Sequence, residues 1–140
     1  LAGLRVGYGF GHEDLIANLL KVKLPFEPSI PAQEAAITAL DDFQYLDESL
    51  YVNSSGMSKI VGILDSYDFK YIPSVTNFIT VIFEEANEAQ RFSQKMLKHG
   101  VILRHLIGFG LPECVRITVG TDPENKIFVQ KLNLMMRGTN

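Results

Sequence analysis

The chain has 140 residues, 46% hydrophobic and 21% charged, enough for one globular domain and too short for two full ones. Thirteen Lys+Arg against 16 Asp+Glu leave a formal net charge of −3, which excludes a broad electrostatic footprint for nucleic acid. The longest apolar runs, such as Val81-Ile82-Phe83, fall far short of the roughly 18 residues a membrane span needs.

A single cysteine, Cys114, has no internal disulfide partner and fits a reducing compartment. With no charged-then-apolar leader visible, the expectation is a cytoplasmic protein without membrane or nucleic-acid partners. Leu1-Ala2-Gly3-Leu4 reads as the middle of an apolar element, so a fragment of a longer chain is expected.

Leu4, Val6, Tyr8 and Phe10 alternate with Arg5, Gly7 and Gly9, a period of two that predicts a strand. From His12 to Val22 the period changes. Leu15, Ile16, Leu19 and Leu20 share a helical face, with Glu13 and Asp14 in the first turn and Lys21 in the last, as the helix dipole favours. Pro25, Pro28 and Pro31 predict a loop, and alanine-rich 33–40 a second short helix. A long amphipathic helix is predicted from Asp41 to about Ser66, with a kink or break near Gly56. Beyond it, strands are predicted over 75–83, 101–106 and 115–119. Helices are predicted with Asn87 as N-cap and Gln90 as its capping-box partner, running to Lys98 and stopped by Gly100, and after a Thr121–Glu124 capping box. The C-terminal half therefore reads β-α-β-β-α, a small α/β lobe.

Three arginines fall within predicted strands. Arg116 alternates with Val115, Ile117 and Val119 and so projects from the opposite sheet face beside Thr118. Arg104 stands between Leu103 and His105 in an otherwise apolar strand. Arg5 is flanked on its own face by Gly3, Gly7 and Gly9, which leaves an open floor where a planar anion could lie. A guanidinium binds carboxylate or phosphate through a two-pronged set of N–H donors, so the three point to small anionic ligands. A structural ion pair or a solvated face is the alternative at each position. Gly7-Tyr8-Gly9-Phe10-Gly11 matches neither the dinucleotide spacing nor a P-loop. His12, His99 and His105 have no partner at a metal-ligand spacing, so no metal is expected.

Leu1-Ala2-Gly3-Leu4-Arg5-Val6-Gly7-Tyr8 resembles the segment that follows the Schiff-base lysine in pyridoxal-phosphate aminotransferases of the aspartate-aminotransferase fold, fold type I. Pro73-Ser74-Val75-Thr76-Asn77-Phe78, Gly100-Val101-Ile102-Leu103-Arg104 and Val115-Arg116-Ile117-Thr118-Val119-Gly120-Thr121 resemble the C-terminal lobe of the histidinol-phosphate subfamily. The resemblance implies that 1–40 end the large cofactor-binding domain (a strand and two helices), 41–68 form the connecting helix, and 69–140 form the small domain. It implies Arg5 on the cofactor phosphate, Arg116 on the substrate carboxylate, and Arg104 as a second substrate-side arginine. Asn77 is implied as a further substrate contact.

No lysine of this chain stands in the serine-x-x-lysine context the family requires, so the resemblance places the catalytic lysine upstream of Leu1. The chain alone is then expected to be inactive and not to retain pyridoxal phosphate. The parent is expected to be a homodimer that moves an amino group between L-histidinol phosphate and 2-oxoglutarate. Two alternatives stay open: a threonine-phosphate decarboxylase on the same scaffold, and a non-catalytic ligand-sensing domain of a transcription regulator.

Overall fold

The computed structural model describes residues 1–138. It divides into two compact units, Leu1–Asp47 and Glu48–Asn140.

In the first unit, helix α1 (Glu13–Val22) begins where the His12 side chain accepts a hydrogen bond from the Asp14 N–H at 3.3 Å. Helix α2 (Ile30–Leu40) starts three residues earlier than the sequence predicts, inside the proline-rich stretch. Pro31 is compatible with this because the N–H it lacks would have no partner in a first helical turn. The strand predicted over 4–10 does not form. Ala2–Leu4 make one 3-10 turn, Arg5 takes a left-handed conformation (φ 57°), and Val6–His12 have no regular structure. An alternating pattern becomes a strand only when its backbone groups pair with a neighbouring strand, and no strand among the described residues lies in register with these.

Helix α3 (Phe43–Asp65) runs unbroken through Gly56 and Gly62, so the break expected near Gly56 is absent. Gly56 serves close approach instead. A Cβ there would lie 2.5 Å from both the Asn125 amide nitrogen and a Val119 methyl carbon.

The second unit holds a four-stranded antiparallel sheet in the order β1-β2-β4-β3: β1 (Lys70–Ile72), β2 (Phe78–Ile82), β3 (Arg104–His105) and β4 (Cys114–Thr118). β1 is an addition to the predicted elements; three residues are too few to show a period. Of the strand predicted over 101–106 only two residues pair, so residues 100–103 diverge from β4. Helix α4 (Ala86–Lys98) takes Glu85, not Asn87, as its N-cap, because Ala86 is already helical. Gly100 ends that helix with φ 85°, its N–H donating to the Leu97 carbonyl while Val101 donates to that of Met96. At the start of helix α5 (Asp122–Arg137) the Glu124 carboxylate accepts both the backbone N–H and the hydroxyl of Thr121, each at 2.7 Å, as the capping-box spacing predicts.

One sheet face carries Ile79, Val81, Val115 and Ile117. Ile60 and Leu64 of α3, Ala89, Phe92 and Met96 of α4, and Phe128 and Leu132 of α5 join them in one buried cluster. Strand alternation sends the intervening residues, Arg116 among them, to the other face.

Candidate functional site

The β4 register brings two of the predicted arginines together. Arg116 on the interior strand β4 stands directly across from Arg104 on the edge strand β3 and, on its other side, across from Thr80 of β2. Directly opposed residues of an antiparallel pair share a face, and like charges so placed repel. Three ion pairs are formed among the described residues: Lys59–Asp122, Lys70–Glu84 and Lys126–Asp122. Neither arginine takes part in any of them. Each lies instead against an aromatic face. The Arg116 guanidinium carbon is 5.2 Å from the Phe78 ring centre and that of Arg104 is 5.8 Å from the Phe109 ring centre, both within cation–π range.

Arg116 is half-buried, and its Nε is a buried donor with no partner among the described residues. A buried unpaired N–H is costly, about 1–3 kcal/mol, and more on a charged group. Two opposed guanidinium groups without a counter-charge therefore suit an incoming anion.

Where residues 100–103 leave β4, a cleft of about 600 Å³ opens, lined by Arg104, Arg116, Thr118, Gly120, Glu124 and Asn125 among others. Glu124 is committed to Thr121, and those hydrogen bonds hold its carboxyl below the usual range. Asn125 is buried, and its amide exchanges hydrogen bonds with the backbone of Gly120. The Gly120 N–H donates to Oδ1 at 3.0 Å and Nδ2 donates to the Gly120 carbonyl at 2.8 Å. This clamp fixes the turn that leaves β4 two residues after Thr118. The signal for Asn125 lay in the sequence: it is the polar member of the stripe Asn125, Phe128, Leu132, Met135 that α5 buries.

Asn77 lies one residue before β2, exposed, with its carbonyl accepting the Val119 N–H at 2.8 Å. By alternation it takes the parity of Ile79, whereas Phe78 and Thr80 share parity with the arginine pair. Arg5 belongs to the other unit. Its side chain is exposed, with Nη1 donating to the Ala2 carbonyl at 3.3 Å, and Gly3, Gly7 and Gly9 each have open space where a Cβ would stand. Cys114 is buried, and burial followed by the Glu113 carboxylate pushes its thiol pKa up, away from nucleophilic use. Among the described residues no cluster of three His, Cys, Asp or Glu could hold a metal, and no helix is long and apolar enough to cross a membrane.

The model of the family "aminotransferase class I and II" matches residues 1–132. The chain belongs to that family. Histidinol-phosphate aminotransferase 1 of Nitrosococcus oceani is 40% identical over 136 residues, which cover 97% of this chain and 36% of that protein. The histidinol-phosphate aminotransferase of Campylobacter jejuni subsp. doylei is 39% identical over 98% of this chain and 37% of its own length. The chain thus spans little more than a third of the curated relatives it matches.

Among solved structures, the histidinol-phosphate aminotransferase from Sinorhizobium meliloti, in complex with pyridoxal-5'-phosphate, superposes with a TM-score of 0.84 at 27% identity. That match covers all of this chain and 39% of the other. The enzyme of the same name from Clostridium acetobutylicum, at 22% identity and a TM-score of 0.75, shares the fold. Within this chain, the opposed arginines on β3 and β4 are a place where two cations outside every ion pair meet across a strand ladder and line one cleft.

Proposed function

We propose that this chain is the C-terminal part of a cytoplasmic, homodimeric, pyridoxal-phosphate-dependent aminotransferase that exchanges an amino group between L-histidinol phosphate and 2-oxoglutarate. The observation that carries the reading is the direct opposition of Arg104 and Arg116 with no carboxylate between them. The two amino compounds, histidinol phosphate and glutamate, differ in the anion they offer: a dianionic phosphate ester in one and a carboxylate in the other. Arg116, on an interior strand and half-buried, is the group that grips either anion in turn. Arg104, across the ladder, completes the donor set that the larger phosphate needs. Asn77, exposed one residue before β2, is proposed as a further substrate contact, reached from beyond the start of the strand and not from the face that carries the arginine pair.

The residues of this chain fit part of the cofactor. Arg5 offers an exposed guanidinium for its phosphate, although with the predicted strand absent the glycines no longer form a shared face beside it. When bound, pyridoxal phosphate supplies the electron sink for proton transfer at the substrate's α-carbon. The lysine that anchors it has no counterpart among the lysines here, none of which follows serine at the required spacing. This chain's own part is orientation: holding the anionic arm fixes the reacting carbon relative to the cofactor, which makes proton transfer effectively intramolecular. By itself the chain does not transaminate.

Steady-state kinetics of the intact parent test this. Arg116→Ala is expected to abolish turnover with both glutamate and histidinol phosphate, whereas Arg104→Ala raises KM chiefly for histidinol phosphate. Identical kinetics in the two variants, or carbon dioxide release from a phosphorylated amino acid without transfer to 2-oxoglutarate, would overturn the reading.

A further inference from the structure

Resting on the anion site just described, we propose that Phe109 is a positioning residue that orients Arg104 and thereby sets the site's preference for a phosphate monoester over a carboxylate. The two guanidinium groups are supported unequally. Arg116 leans on Phe78, the first residue of β2, which is paired with Thr118 of β4. Arg104 rises exposed from a two-residue edge strand, and the ring it meets belongs to the loop between β3 and β4.

That loop is closely tied. Leu106 donates to the Cys114 carbonyl, Phe109 and Leu111 both donate to that of Leu106, Gly110 to that of Ile107, and Cys114 to that of Leu111. Gly110 sits at φ 76°, a conformation other residues adopt at a cost, and the His105 ring nitrogen bonds the Pro112 carbonyl at 2.6 Å. The ring this order holds remains 63% exposed, like Ile107 two residues before it, and its contact in the structure is the Arg104 guanidinium.

A planar cation lying over a ring keeps its in-plane N–H fork free for oxygen acceptors. A carboxylate is satisfied by one fork, which Arg116 provides. The three terminal oxygens of a phosphate monoester engage a second fork, and only then does the orientation of Arg104 count. Phe109 therefore discriminates between guests without touching either.

The test is titration of the chain, labelled with ¹⁵N-arginine, with methyl phosphate and separately with acetate at constant ionic strength. The Nε–H resonances of Arg104 and Arg116 are followed. Phe109→Leu is expected to weaken methyl phosphate about three- to fivefold, the loss of one exposed cation–π contact, while acetate stays within about twofold. Phe109→Tyr restores the wild-type ratio, and the ligand-free Arg104 resonance loses its ring-current shift only in the leucine variant. Because the ring is exposed, neither variant threatens the fold. If Phe109→Leu leaves the phosphate-to-acetate ratio unchanged while Arg104→Ala lowers it, the role of Phe109 is wrong and the anion site stands. If Arg104→Ala and Arg116→Ala both bind methyl phosphate as wild type does, or the wild type shows no response, the anion site itself is wrong and the proposal falls with it.

Discussion

In the second unit, α4 and α5 lay Ala89, Phe92, Met96, Phe128 and Leu132 into one cluster with Ile79, Val81, Val115 and Ile117 of the sheet. In the first, α1 carries Leu15, Ile16, Leu19 and Leu20 at the same helical spacing and buries none of them; Ala32 of α2 is the one buried residue described there. Both units use the same local devices, with acidic residues opening and basic residues closing a helix. The difference teaches that amphipathicity is a property of the segment, whereas a core needs a second apolar surface to meet it. The sheet is that surface, and it exists only where strands find partners.

The largest expected effect follows directly. Leu132→Ala removes a fully buried side chain and is expected to destabilise by about 2–5 kcal/mol, read by denaturant unfolding followed at the second unit. Leu19→Ala in α1, already half-exposed, should change stability by no more than about 0.5 kcal/mol. Similar losses at both positions would break the comparison, since they would mean that α1 is covered as α5 is.

Two glycines of α3 sharpen it within a single helix. At Gly56 a Cβ would press on Asn125 and Val119, so Gly56→Ala is expected to cost about 1–3 kcal/mol despite alanine's better helix propensity. At Gly62 a Cβ meets nothing within 4 Å, and Gly62→Ala should stabilise by about 1 kcal/mol. Melting temperatures that move in the same direction for both variants would refute the assignment of Gly56 to close approach.

The smallest effect is electrostatic. Hydrogen bonds from Lys126 and Lys59 hold the Asp122 carboxyl down, from 3.8 to about 2. A carboxylate whose folded pKa is depressed contributes stability above its unfolded pKa, and the contribution is lost as pH falls through the folded value. The small stabilisation should therefore be present above about pH 4 and fade toward pH 2. It is solvent-screened, so added salt weakens it, and Asp122→Asn should flatten that part of the stability–pH curve. A steeper fall in the asparagine variant would contradict the assignment.

Much of the site was legible in order but not in arrangement. Alternation along 115–119 puts Arg116 opposite the core face, and the β4 register confirms that placement. That Arg104 stands across from it depends on how β3 aligns with β4, and strand register is set between segments, not within one. Phe78 gave no signal as the partner of Arg116, because the two stand on different strands, and Phe109, though near Arg104 in sequence, meets it only through the turn that follows β3. The N-cap expected at Asn87 failed by two residues for a simple reason: helix starts are decided by backbone angles that several nearby polar residues can satisfy.

Helix placement, the glycine stop at Gly100, the Thr121–Glu124 cap and the buried stripe of α5 are encoded locally, since each depends on residues three or four positions apart. The missing strand over 4–10, the added strand β1, the unbroken passage of α3 through Gly56, and the facing of two like charges across a ladder are different. They were decided by tertiary structure alone, because hydrogen-bond partners, close backbone approach and cross-strand register are relations between parts of the chain that no single stretch contains.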